Sequence, residues 1–381
     1  MSVNREAVKA APKDERKLRS DTITTGRFAT LLLAAVSVLV SLVLLELACR
    51  VLLSGPGSLA HWPNLARERM GTGPDVARIR CQYAFDAEIG WTSPPGCVSR
   101  TYNVDADGFR RTSPKSALAE PPVLVTGSSF AKGDEVKDDE TWPADLQSLT
   151  GRKVVNAGVS GYAFDQSALS TERLVPKVKP LFVVMSFTPG DIRRSELKVA
   201  WSREKPYFTV TDGKLQEHNV PVPGQPNAPV PLPEPARWLG RFALADLVVQ
   251  RLGLQRGWYF DEVRGAPAGS GEAVVCLLMP RLAALGVPVV VMAQYSREYW
   301  TQSAARRAED QRSVDRVMGC ARTSGLIPFD LARPMQPIVD AKGVDALYRS
   351  DHHSAEGNRI VADLVLRELE RLNLVSRMGV R

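Results

Sequence analysis

Residues 121–130 read PPVLVTGSSF. The apolar run Pro122–Val125 stops at Thr126-Gly127-Ser128-Ser129. A short, continuous apolar segment ending in small turn residues has the texture of a strand buried on both faces. The same unit recurs along the chain. Val154–Val155 precedes Asn156-Ala157-Gly158, and Leu181–Phe187 (LFVVMSF) precedes Thr188-Pro189-Gly190-Asp191. Val287–Ala293 (VPVVVMA) reads as a fourth strand and Leu326–Phe329 as a fifth. Between them Glu140–Leu149, Ala163–Val178, Ala273–Leu285 and Ala308–Arg322 read as helices, and Ala355–Leu372 as the last one. Apolar strands alternating with helices predict an α/β domain over 116–381, built on a parallel sheet.

One stretch breaks this rhythm. Seven prolines fall between Pro221 and Pro235. Such a segment is extended and cannot donate to a ladder. Residues 195–260 therefore read as an insertion, with a hairpin of Tyr207–Val210 and Leu215–Asn219 turning at Asp212-Gly213. Upstream, residues 54–115 are rich in Gly, Pro, Ser and Arg and read as a stalk and an irregular lead-in. Within it, Ala84–Trp91 and Asn103–Arg110 look like short extended pieces.

The N-terminal part is of another kind. Phe28–Leu45 (FATLLLAAVSVLVSLVLL) holds no charge and is apolar on every face, which a water-exposed helix cannot be. About 20 such residues cross a bilayer. Residues 28–53 are accordingly a transmembrane anchor, and 1–27 a tail with seven basic and four acidic residues. Arg16, Lys17, Arg19 and Arg27 keep that flank cytoplasmic, so the C-terminal domain is expected outside, in a periplasm or beyond the cell. The apolar stretch is longer than a cleaved signal's, and no small-x-small site follows it. Lipid attachment at Cys49 is disfavoured by Glu46.

The 381 residues, 44% apolar and 24% charged, exclude a disordered, collagen-like or disulfide-dense small scaffold. The net charge of +7 comes without a Lys/Arg run or interleaved aromatic stripe, so nucleic-acid binding is not expected. No Cys/His cluster has zinc spacing. In an oxidising compartment Cys81–Cys97 and Cys276–Cys320 could pair; otherwise they are small buried hydrophobes.

Chemistry is expected at the carboxyl ends of the strands. Ser129 at a strand-to-helix turn exposes its hydroxyl as a nucleophile would, although a helix cap looks the same. Gly158 and Gly161 let backbone approach a ligand or simply make a turn. Ser350-Asp351-His352-His353 carries two of the four histidines. An Asp two residues from a His can hydrogen-bond one ring nitrogen and leave the other as a base.

In order and spacing, these pieces across 121–372 resemble the SGNH (GDSL-like) hydrolases. VLVTGSSFAKGDEV is similar to that family's first block, VVNAGVSGYAFDQ to its second, SFTPGD to its third and DHHSAEGNRIVADLV to its last. The lead-in (YAFDAEIGW, VDADGFR) and KPYFTVTDGKL resemble membrane-anchored bacterial members. The resemblance implies a three-layer α/β/α domain with a flavodoxin-like sheet, and no cofactor or metal. It implies Ser129 as nucleophile, His353 as base and Asp351 as its orienting residue, with His352 as the alternative base. It further implies an oxyanion hole from Ser129, Gly161 and position 190. Two positions depart from the pattern: Ser128 stands where the family has Asp, and Gly190, next to Asp191, where it has Asn. The implied function is a serine esterase or O-acyltransferase acting on acyl, above all acetyl, esters of an envelope or exported glycan. The alternative is a catalytically impaired relative that binds glycan or scaffolds polysaccharide export. Protein partners are not legible.

Overall fold

The computed structural model describes residues 13–377 apart from 61, 63–64, 66–80, 82, 100, 113–118, 202, 224–233, 253 and 255–261. Parts of the expected stalk and most of the proline run thus lie outside the described residues.

The five apolar runs form one wholly parallel sheet. Its strands are β1 (Ala119–Gly127), β2 (Arg152–Asn156), β3 (Phe182–Phe187), β4 (Val289–Ala293) and β5 (Ile327–Asp330), in the order β5-β4-β3-β1-β2. β3 and β4 are buried along their whole length, which is why they carry no polar alternation. The helices complete a three-layer sandwich. α3 (Trp142–Thr150) packs with α10 (Ala355–Arg371). In the other layer α8 (Gly271–Ala283) packs with both α4 (Phe164–Val178) and α9 (Ala304–Thr323). Local chemistry sets their ends. Thr141 accepts the Ala144 N–H to start α3, and Ser354 accepts the Gly357 N–H to start α10. The order is that of a flavodoxin-like sheet. The chain leaves β1 for β2 on one side and returns to β3 on the other, so a crevice opens beyond the carboxyl ends of β1 and β3.

The chain forms two compact units: residues 1–66 with 235–254, and residues 67–234 with 255–381. The second holds the sheet. In it the expected hairpin is present as Tyr207–Thr211 paired with Lys214–His218. Both cysteine pairs are bonded, Cys81–Cys97 and Cys276–Cys320, with Cα atoms 5.3 Å and 5.2 Å apart. The second bond joins α8 to α9. A buried ion pair ties the inserted strands to α4. Lys205 Nζ donates to Asp165 Oδ2 (2.6 Å) and to the Leu197 and Pro206 carbonyls (3.1 and 2.7 Å), and both side chains are fully buried. Burial pushes the Asp165 carboxyl up and the Lys205 ammonium down, each restrained by the other. Lys205→Met would strand that carboxylate and is expected to cost about 3–5 kcal/mol. Urea unfolding of the full chain reads this loss, and Asp165→Leu on the same background should recover most of it. An unchanged midpoint in the single variant would refute the coupling.

In the first unit, α1 (Lys13–Ser54) runs through the apolar stretch. Among the described residues its segment Phe28–Leu52 is the one helix long and apolar enough to cross a membrane. Two short helices from the insertion, α6 (Glu234–Leu239) and α7 (Ala243–Arg251), belong to this unit, and α7 packs on α1.

Candidate active site

Ser129 opens α2 (Ser129–Lys132), one turn of helix directly beyond β1. The turn needs Gly127. Its φ is +141°, and a Cβ there would overlap the Ser186 carbonyl on the neighbouring strand. Ser129 is half-buried, whereas Ser128 points into the protein, where its hydroxyl has no partner among the described residues.

The structure joins Ser129 to His352 and Glu135. His352 Nε2 lies 2.7 Å from Ser129 Oγ, and His352 Nδ1 lies 2.9 Å from Glu135 Oε1. An ionised carboxylate only accepts, so Glu135 fixes the ring proton on Nδ1 and leaves Nε2 free to accept from the serine. Glu135 is itself held by Ser350, whose hydroxyl (2.6 Å) and N–H (3.1 Å) donate to it. Burial works to raise the Glu135 carboxyl, but the bonds from His352 and Ser350 win and pull it down to about 2. For His352, burial works against the charge. The Glu135 hydrogen bond and the negative charges of Asp134, Asp351 and Glu135 outweigh it and hold the imidazole above its ordinary value.

Two expectations fail here. His353 faces away from Ser129 and is 3% exposed, its ring set 5.4 Å from Phe130 and 4.7 Å from Tyr348. Neither ring nitrogen has a partner among the described residues. Burial, reinforced by the charge of His352, pushes it down to about 3, so it stays neutral. The reason is local geometry. Tyr348 and His353 form an isolated antiparallel bridge that closes the bends at 349–352; this holds the His353 ring inside, against Phe130 and Tyr348, while His352 stands in the bend beside Ser129. Only one of the two histidines can reach the serine. Asp351 is exposed and its carboxylate takes no hydrogen bond from any described residue; its carbonyl accepts the Arg297 N–H at 3.1 Å. The carboxylate that meets the histidine ring is instead Glu135, six residues after Ser129, in left-handed backbone (φ +71°).

Arg110, from the lead-in, holds that turn in shape. Its buried guanidinium donates to the carbonyls of Lys132 (3.0 Å), Gly133 and Val136 (2.7 Å) and to Asp138. Beneath it, Lys132 Nζ donates to Ser160 Oγ (3.2 Å), which donates to Asp134 Oδ2 (2.7 Å). Burial, against the pull of Asp134, lowers the Lys132 ammonium to about 8. Sequence reading found no role for Arg110, Lys132 or Asp134. Asn358 secures the histidine loop, donating to the His353 and Ser354 carbonyls (3.2 and 3.0 Å) and accepting the Trp142 N–H.

Of the expected oxyanion positions, Gly161 lies in the loop after β2 with φ +79°, and a Cβ there would sit 2.7 Å from the Trp201 ring. Gly190 sits in α5 (Pro189–Arg194), in the loop after β3, and offers no side chain. Arg194 Nη1 lies 3.4 Å from where its Cβ would stand. Asp191 is committed elsewhere, accepting the Thr188 N–H at 2.8 Å and pairing with Arg194. Among the described residues no group of three or more His, Cys, Asp or Glu could hold a metal ion.

No protein-family model matches the chain, and no curated protein does. Solved structures with a similar fold include LAE5, an α/β hydrolase enzyme from the metagenome of Lake Arreo (15% identity, 67% of this chain and 98% of that one, TM-score 0.42). The acetylxylan esterase Axe2 from Geobacillus stearothermophilus (17% identity, 66% and 95%, TM-score 0.39) is another. So is a lipolytic G-D-S-L family protein from Veillonella parvula (11% identity, 66% and 98%, TM-score 0.37).

Proposed function

We propose that this chain is a membrane-anchored serine esterase or O-acyltransferase acting on acyl, chiefly acetyl, esters of an envelope or exported glycan. The observation that carries the reading is the hydrogen-bonded series Ser129–His352–Glu135 at the crevice beyond β1 and β3. In it, Ser129 Oγ attacks the ester carbonyl while its proton passes to His352 Nε2. The imidazolium, steadied by Glu135, then protonates the departing alkoxide and leaves an acyl-serine. Water or a sugar hydroxyl next gives its proton to Nε2 and attacks the acyl carbon; the acyl–Oγ bond breaks, and His352 returns that proton to Oγ, which frees Ser129. The Ser129 and Gly161 N–H groups take the developing oxyanion. The Arg194 guanidinium stands in for the side chain that Gly190 lacks. The apolar helix Phe28–Leu52 is the anchor, with the N-terminus cytoplasmic, and the two disulfides support an oxidising compartment for the rest. A fluorophosphonate probe on the full chain in detergent tests the centre. We expect the adduct on the peptide bearing Ser129. A folded protein that never labels there is a glycan-binding or scaffolding relative, and the enzyme reading falls.

A further inference from the structure

Resting on the reading of Phe28–Leu52 as a membrane anchor, we infer that the inserted helices α6 and α7 lie in the lipid interface beside the end of that span. Their apolar side chains would enter the outer edge of the bilayer.

The depth follows from covalent geometry. Phe28–Leu45 is eighteen uncharged residues, about 27 Å of helix at 1.5 Å per residue, close to the ~30 Å of a hydrocarbon core. Glu46 therefore stands at its boundary. There its carboxylate accepts the N–H groups of Ala243 and Leu244, both at 2.8 Å, at the start of α7. Arg50, one turn further, pairs with Glu46 at 2.8 Å, donates to the Arg241 carbonyl, and lies 3.6 Å above the Trp62 ring. The two charges that interrupt the apolar segment are thus spent on fixing α7 at this level.

The face α7 turns to α1 is accounted for, since Ala243, Asp246 and Val249 are buried. The large apolar side chains on α6, on the rest of α7 and on the residues flanking it are not. Trp238 is 72% and Leu252 66% exposed, and Leu239, Phe242, Val248 and Leu254 are exposed as well. Large apolar groups gathered in this way mark an interaction surface. Their occupant is set by continuity: α7, beside which they all lie in sequence, packs directly on a helix that ends in lipid. Tryptophan with exposed arginines at 241 and 251 is the composition of an interfacial helix on anionic lipid.

The test is nitroxide depth measurement on the full chain in phosphatidylcholine–phosphatidylglycerol liposomes. Labels go on Trp238→Cys and on Leu252→Cys, each in a Cys49→Ala background, with Gln216→Cys on the exposed hairpin as the aqueous reference. At both interface positions the ratio of oxygen to nickel-chelate collisions is expected to rise several-fold over the reference. An aqueous ratio at both, in liposomes whose protein resists alkaline carbonate extraction, overturns the interfacial placement and leaves the anchor standing. Suppression of both collision rates means that protein covers the face, and also overturns it. Extraction by carbonate overturns the anchor reading and this one together.

Discussion

His352→Ala is expected to lower kcat/KM for an aryl acetate by at least about 10⁴-fold, as large an effect as Ser129→Ala, while His353→Leu leaves turnover within a small factor of the parent. The asymmetry follows from facing direction. His352 Nε2 is the only ring nitrogen hydrogen-bonded to Ser129 among the described residues, and its loss leaves the hydroxyl without a proton acceptor. The His353 ring donates to and accepts from nothing described, so an apolar side chain of similar size removes two unpartnered polar atoms and little else. Steady-state kinetics on the three variants, with far-UV circular dichroism as a check on folding, decides the matter. Equal losses at both histidines, or a loss at His353 alone, would reinstate the assignment that motif spacing favours.

Glu135→Gln is expected to cost on the order of 10⁴ in kcat and to move the pH profile. The amide can donate to Nδ1, which forces the ring proton onto Nε2, the wrong nitrogen for accepting from Ser129. The pH shift has a fixed sign. His352 works as a base only when neutral, and in the parent it is held above its ordinary value, so activity falls on acidification below a midpoint higher than about 6.5. With the carboxylate gone, the hydrogen bond and charge of Glu135 no longer favour the charged ring, and the midpoint of whatever activity survives moves down. A parental rate and midpoint in the glutamine variant would remove Glu135 from the centre.

The sheet was legible because β3 and β4 are buried on both faces, and such strands cannot disguise themselves with polar alternation. The α4 and α10 bounds fell within a residue of the reading, since both helices are amphipathic along their length, and Ser354 caps the start of α10. The place of Ser129, at a strand-to-helix turn, was legible. Which histidine and which carboxylate lie beside it were not. Two adjacent histidines are told apart only by which of them takes the bridge position opposite Tyr348 and which stays in the bend before it, and residue identity does not show that. The carboxylate comes from close to Ser129 in sequence, on left-handed backbone at Glu135, which a glutamate in a sequence does not advertise. Arg110 was hidden for a related reason: all but one of its partners, Asp138, are main-chain carbonyls, and these leave no trace in residue identity. Glu46 entered the sequence reading only as an argument against lipid attachment at Cys49, since its partners lie 197 and 198 residues away.

Helix α7 comes from the middle of the chain yet packs on the N-terminal segment, so the two units are connected three times, at 66–67, 234–235 and 254–255. Severing the first connection alone would not separate them, since a fragment starting at residue 67 still carries the partner that clasps Glu46. By the same logic, a shortened chain made without its first 66 residues would bare the small apolar side of α7 and leave two of its amides without an acceptor. Its sheet could fold well and the protein still clump.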